Sequence, residues 1–162
     1  MGADRTSIAW RRRHKILKIE SRRNLTTMEV AGWVGKIIAD EKPAKVFIDV
    51  GGLGVGVYDR LQEQGHRNVV AVNFGGKPTE PAPLGEDSRP AGGCVNRRSE
   101  MWLALKKALE AGAFGLPDSD ALQADLTSVG YKFDPSGRLL LESKADLRKR
   151  VCPHPTKAMP SR

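Results

Sequence analysis

From Thr6 to Ser21, hydrophobic and polar residues alternate in two short runs, TSIAWRR and KILKIES, with Arg13 and His14 between them. In the second run Ile16, Lys18 and Glu20 share one face and Leu17 and Ile19 the other, the period-2 pattern of a half-buried strand. The two runs predict a hairpin. The period then changes to that of a helix: Val30, Ala31, Val34, Ile37 and Ile38 recur at helical spacing, Thr26 and Glu29 form a capping box ahead of them, and Pro43 stops the run. KVFIDV, the glycine-dense GGLGVG, a second helical stretch around Tyr58 and Leu61 ending at Gly65, and then NVVAVN predict a β-α-β unit with a parallel strand pair. The segment from Phe74 to Cys94 is dense in Pro and Gly and reads as a loop.

Further along, Asn96 is placed to cap a helix whose apolar stripe is Met101, Trp102, Leu105, Ala108 and Leu109, ended by Gly112. Trp33, Met101 and Trp102 are assigned to the core. A shorter helix follows Pro117 and Asp118. YKFDPSGRLLLES reads as a hairpin with Asp134, Pro135 and Gly137 at type I turn positions, and Ser143 with Asp146 caps a last basic helix through Arg150. These elements predict one α/β domain over residues 1–150 and an irregular tail over 151–162.

Composition narrows the class. No stretch of the 162 residues approaches the ~18 to 20 apolar residues of a membrane span, and Met1 to Lys18 interleaves bases with single apolar residues where a secretory signal would be unbroken. The expected compartment is the cytoplasm, with no membrane partner. Cys94 and Cys152 have neither CxxC nor His-pair spacing and read as ordinary thiols. Of the net charge of +8, residues 1–23 hold eight bases against Asp4 and Glu20, and residues 144–162 hold six against Asp146. The body between them is mildly acidic. Basic ends on such a body suit a polyanion, and Arg11, Arg12, Arg13 and Lys15 are the candidate phosphate contacts.

The candidate chemistry centres on DVGGLGVGV. Glycines after a strand let a backbone approach a pyrophosphate at a helix N-terminus, but with Gly52 and Gly54 as the first pair Val57 stands at the third position. The next strand ends in Asn73 where a ribose-binding acid would be, so a nucleotide-binding domain is the minor reading. No Lys-Ser or Lys-Thr follows the glycines, which excludes a Walker-type loop. Asp49 offers a different use: a carboxylate at the C-terminal end of a parallel strand can hold a hard divalent cation, with Gly51, Gly52 and Gly54 leaving room beside it. It can equally cap the glycine turn.

The order ILKIES, TMEVAGWV, VFIDVGGLGVGVYDRL, VVAVNFGGKP, NRRSEMW and DLTSVGYKFDPSGRLLLESKADLRKR resembles the C-terminal nuclease domain of phage terminase large subunits. The resemblance spans most of residues 4 to 150. It implies an RNase H-like mixed sheet flanked by helices, and Mg²⁺- or Mn²⁺-dependent cleavage of double-stranded DNA during packaging. By the same resemblance the partners would be duplex DNA, the phage portal and the small terminase subunit, in the host-cell cytoplasm. The family uses about three acids, and Asp49 matches the second. The strand carrying the first precedes the segment matching Asp4 to Thr6, so the chain is expected to begin after it. In the tail, CPHPTKAMPSR puts Thr156 and Met159 where acids stand in the family. The resemblance therefore implies a truncated, catalytically defective copy with weak metal binding, as a prophage remnant would be, that still holds DNA. Two alternatives stay open: a site rebuilt from Asp4, Glu20, Asp59 or Glu142, with Asp4 the nearest auxiliary acid, and a non-enzymatic DNA-binding or assembly module.

Overall fold

A computed structural model describes residues 5–79 and 93–151. They fall into two compact units, residues 5–79 with 96–117, and residues 93–95 with 118–151. Asp4 and the tail from Cys152 onward lie outside the described residues, as does most of the Pro- and Gly-rich loop.

The first unit opens with the predicted hairpin, β1 (Arg5–Arg12) antiparallel to β2 (Lys15–Arg23). Arg12 pairs with Lys15, which leaves Arg13 and His14 as a two-residue loop, and Arg13 takes φ 52 to make the reversal. The register slips once: Trp10 pairs with Lys18 but Arg11 with Ile16, so β2 carries one extra residue, Leu17, as a bulge. The face expected to bury Leu17 and Ile19 is open instead, with the two side chains 54% and 40% exposed. The opposite face does the packing. There Ile8 reaches the core, Trp10 Nε1 donates to Glu41 Oε2 at 2.8 Å, and the Arg22 guanidinium lies over the Trp33 ring.

Helix α1 (Thr27–Glu41) starts at the predicted capping box, in which Glu29 N donates to Thr26 Oγ1 while Thr26 N donates to Glu29 Oε2 at 2.7 Å. It ends at Lys42, whose left-handed backbone lets its N–H donate to the Ile38 carbonyl. The Thr26 backbone N–H, and then its hydroxyl, hold the Glu29 carboxyl below its ordinary value. A carboxyl depressed in the folded state contributes stability above the ordinary carboxylate range and loses it as pH falls through the lowered value. Glu29→Gln is therefore expected to lower the thermal midpoint at neutral pH and to converge with the unsubstituted chain in acid. An unchanging difference between pH 7 and pH 2.5 would contradict this.

β3 (Val46–Asp49), α2 (Gly54–Glu63) and β4 (Val69–Val72) form the predicted β-α-β unit, with the two strands parallel and Asp49 level with Val72. Alternation divides the strand residues cleanly. Val46, Ile48 and Val69 face the core with Ala31, Val34, Val57 and Leu61, while Phe47, Asp49, Val70 and Val72 take the other face. Trp33 is buried, as expected. Helix α3 (Arg97–Glu110) is capped by Asn96, whose Oδ1 accepts from the N–H and hydroxyl of Ser99. The stripe expected to carry Met101 and Trp102 into the core does not do so fully: Ser99 is the buried residue of α3, Trp102 is half-buried, and Met101 is 42% exposed.

The second unit contains α4 (Asp120–Thr127), the antiparallel pair β5 (Tyr131–Phe133) and β6 (Leu139–Leu141), and α5 (Lys144–Val151). Its turn is held by Asp134, whose carboxylate accepts from the backbone N–H groups of Ser136 and Arg138 and from the Arg138 side chain. Glu142 accepts from Gly130 N and pairs with Arg150, which also donates to the Ser128 carbonyl. That network ties α5 to the end of α4.

Candidate functional site

The parallel pair of the first unit ends in two matching turns. Asp49 Oδ1 accepts from Gly51 N at 3.0 Å, and one strand over Asn73 Oδ1 accepts from Gly75 N at 3.0 Å. Each polar side chain thus closes the turn that follows its own strand, the use that Asp and Asn favour because their oxygens reach a backbone N–H two residues on. Capping engages one Asp49 oxygen and leaves the residue exposed. Gly52 turns the chain at φ 81, and Gly54 opens α2 so close to the Asp49 carbonyl that a Cβ there would lie 1.8 Å from the oxygen.

Helix α3 is anchored to the same edge. Arg97 N donates to the Gly76 carbonyl and Arg98 N to the Phe74 carbonyl, while Glu100 accepts from the Thr79 N–H and hydroxyl. Its first turn therefore sits beside the C-terminal ends of the strands, the edge where open parallel sheets bind ligands. Together these elements line an open cavity of about 600 Å³, bordered by Asp49, Asn73 and Phe47, by the cations Arg11, Lys77 and Arg97, and by Met101. Three cations and one carboxylate share this lining. Arg97 is partly engaged, lying 3.6 Å from Glu100.

The sequence-predicted residues distribute unevenly over this geometry. Arg11 lines the cavity, and Arg12, Arg13 and Lys15 are exposed at the hairpin tip beyond it. Met101, assigned to the core, lines the cavity instead, and Lys77, Arg97 and Phe47 were not named as site residues from pattern. Their signal was positional: Lys77 follows a strand that ends in a polar turn, and Arg97 follows a helix cap. Of the acids named for a rebuilt site, Asp4 lies outside the described residues. Glu20 is paired with Lys18 at 2.9 Å, Asp59 is exposed on α2, and Glu142 is held by Arg150 and Gly130. Among the described residues no group of three His, Cys, Asp or Glu side chains could hold a metal ion. One carboxylate, half engaged in capping a turn, does not fit a pair of hard cations that each need converging oxygen ligands.

No helix of the described residues is long and apolar enough to cross a membrane. No protein-family model and no curated protein matches the chain. Solved structures do match. The nuclease domain of the large terminase subunit gp2 of bacterial virus Sf6 superposes with a TM-score of 0.72 at 18% identity, over 93% of this chain and 76% of that one. The same viral domain solved with manganese and β-thujaplicinol matches equally, with a TM-score of 0.72. The large terminase nuclease of thermophilic phage G20c, solved with bound magnesium, superposes with a TM-score of 0.59 at 17% identity, over 87% of this chain and 66% of that one. In architecture, then, the chain is a mixed α/β domain with the RNase H-like fold of phage large-terminase nuclease domains.

Proposed function

We propose that this chain is a nuclease-type DNA-binding domain of a phage packaging terminase, which holds duplex DNA along the groove beside Asp49 and cleaves it poorly or not at all. The observation that carries the reading is the combination of that fold with a cation-lined cavity at the C-terminal edge of the strands, continuous along β1 with the hairpin tip. Arg11, Arg12, Arg13 and Lys15 contact phosphates, and their role is to position the duplex without reading its sequence. Phosphodiester cleavage by metal ions needs carboxylates that converge on them, and Asp49 supplies one. By resemblance the cation would be Mg²⁺ or Mn²⁺, and the portal and small terminase subunit would be the partners in the host cytoplasm.

Binding to a duplex of mixed sequence tests the first half. Neutralising four phosphates gives a slope of about −3.6 in log affinity against log salt, so affinity is expected to fall roughly 150-fold between 50 and 200 mM. Replacing Arg11, Arg12 and Arg13 together by Ala is expected to reduce that slope to about −0.9. A salt-independent affinity, or an unchanged slope in the triple variant, would sink the phosphate assignment. Plasmid nicking with Mg²⁺ or Mn²⁺ tests the second half. Robust cleavage abolished by Asp49→Ala would refute inactivity and require an acid cluster that the described residues do not contain.

A further inference from the structure

The hairpin of the first unit is a ribbon two strands wide. Among the described residues β1 forms a ladder with β2 alone, and β2 adds only a single bridge, from Lys15 to Gly115. One face of the ribbon packs: Ile8 reaches the core, Trp10 bonds Glu41, and Arg22 covers Trp33. Cross-strand partners share a face, so the register fixes the composition of the other one. On it Arg5 stands opposite Arg23, Ser7 opposite Ser21 and Ala9 opposite Ile19, with the bulged Leu17 next toward the tip. All seven are exposed, and none is an acid. Glu20 lies opposite Ile8 on the packed face, paired with Lys18.

Charge and shape together select an occupant for this face. Like charges directly opposite in a ladder are destabilising, yet the ribbon carries such a pair at each end, Arg5 with Arg23 and Arg12 with Lys15. No ion pair of the described residues involves any of the four, so a polyanion lying along the ribbon would relieve both ends at once. Between the ends the side chains are short or apolar. Ser7 Oγ and Ser21 Oγ share a hydrogen bond of 2.8 Å, and Leu17 and Ile19 are 54% and 40% exposed. Paired strands lie about 4.8 Å apart, so such a ribbon fits the ~12 Å width of the B-DNA major groove, which admits two strands. Its length agrees as well: the stretch from Arg5 to Arg11, about 20 Å at ~3.4 Å per residue, matches about six base pairs.

Resting on the reading that the chain holds duplex DNA, we infer that the open face of β1 and β2 seats in the major groove, where Leu17 and Ile19 meet thymine methyl groups. Arg5 and Arg23 at one end, and Arg12, Arg13 and Lys15 at the other, take the phosphates that border the groove. The C5-methyl of thymine is displayed in the major groove, and apolar side chains recognise it there. A hydroxyl both donates and accepts, so Ser7 and Ser21 accommodate either base pair. The result is a preference for thymine opposite the middle of the ribbon, set by carbon contacts and added to a phosphate attraction that is blind to sequence.

The test offers the whole chain one duplex of about twenty base pairs, rich in thymine at its centre, in altered forms. Replacing every dT by dU removes the methyl groups and nothing else, and is expected to weaken binding at least about threefold. Filling the major groove with glucosylated 5-hydroxymethylcytosine is expected to weaken it at least about tenfold, whereas saturating the minor groove with netropsin should change it less than about twofold. The double variant Leu17→Ser, Ile19→Ser alters two exposed side chains, and it is expected to bind the dT and dU forms equally with its salt slope unchanged. Equal binding of dT and dU by the unsubstituted chain, or competition by netropsin with none from the glucose, would overturn the groove assignment and leave phosphate binding standing. Failure to bind any form of the duplex would overturn the DNA reading and this inference with it.

Discussion

Replacing Gly54 by Ala is expected to destabilise the first unit by about 3 kcal/mol or more, at the upper end of what overpacking costs. The added Cβ would stand 1.8 Å from the Asp49 carbonyl oxygen, and the obstacle is backbone, so no rotamer relieves it. Either α2 moves away from the end of β3 or the turn carrying Asp49 opens. Two neighbouring glycines supply the scale. At Gly52 a Cβ meets nothing within 4 Å, and the cost is confined to holding an L-residue at φ 81, about 1 to 2 kcal/mol. At Gly56 the Cβ meets the Thr27 methyl at 3.0 Å, while alanine gains roughly 1 kcal/mol in helix propensity over glycine, so the net effect is small. Urea unfolding of the three alanine variants should rank them Gly54, Gly52, Gly56 from most to least harmful. If Gly54→Ala costs no more than Gly52→Ala, the close approach of helix and strand end is not what this turn depends on.

Leu61→Ala is the second large effect, expected at about 2 to 5 kcal/mol. Leu61 is fully buried on α2 among Ala31 and Val34 of α1, Val57 one turn back, and Val69 of β4. Truncation removes the side chain on which two helices and a strand converge, and the cavity collapses only as far as those elements can shift. Set against the 5 to 15 kcal/mol typical of a domain, such a loss is expected to populate the unfolded state at moderate temperature. Leu61→Met, which conserves volume, is expected to cost less than about 1.5 kcal/mol. Leu17→Ala makes the contrast, because Leu17 is 54% exposed and surface changes stay within about 0.5 kcal/mol. Equal losses for Leu61→Ala and Leu17→Ala would mean that the hairpin face left open here is buried in the folded chain.

The elements were legible wherever a local rule was sufficient. The capping box at Thr26 and Glu29, the two-residue reversal at Arg13 and His14, the caps at Asn96 and Ser143 and the Asp134 turn each depend on atoms within about four residues, and each stands where pattern put it. The β-α-β unit was legible for the same reason, because a buried strand, a glycine turn and an amphipathic helix leave distinct periods. Asp49 was open to two uses on sequence, and of these the turn cap is visible as a hydrogen bond to Gly51.

Burial was read less well, because alternation shows that a strand has two faces without showing which face meets a neighbour. Leu17 and Ile19 satisfied the pattern of a buried face, yet the packing runs through Ile8, Trp10 and Arg22 on the other side of the hairpin. Met101 likewise belongs to a helical stripe but lines an open cavity, since α3 is anchored by its first turn to the strand ends and buries Ser99 there. By itself, then, the sequence determined which segments are strands and helices, where the capped helices begin, and that the hairpin is strongly basic. Only the tertiary structure decided that Arg11, Lys77 and Arg97 line one cavity with Asp49, and that β1 and β3 pack on one core without pairing among the described residues. The physical reason is range: caps and turns are settled by bonds between near neighbours in the chain, whereas a site and a sheet edge depend on which distant segments the core brings together.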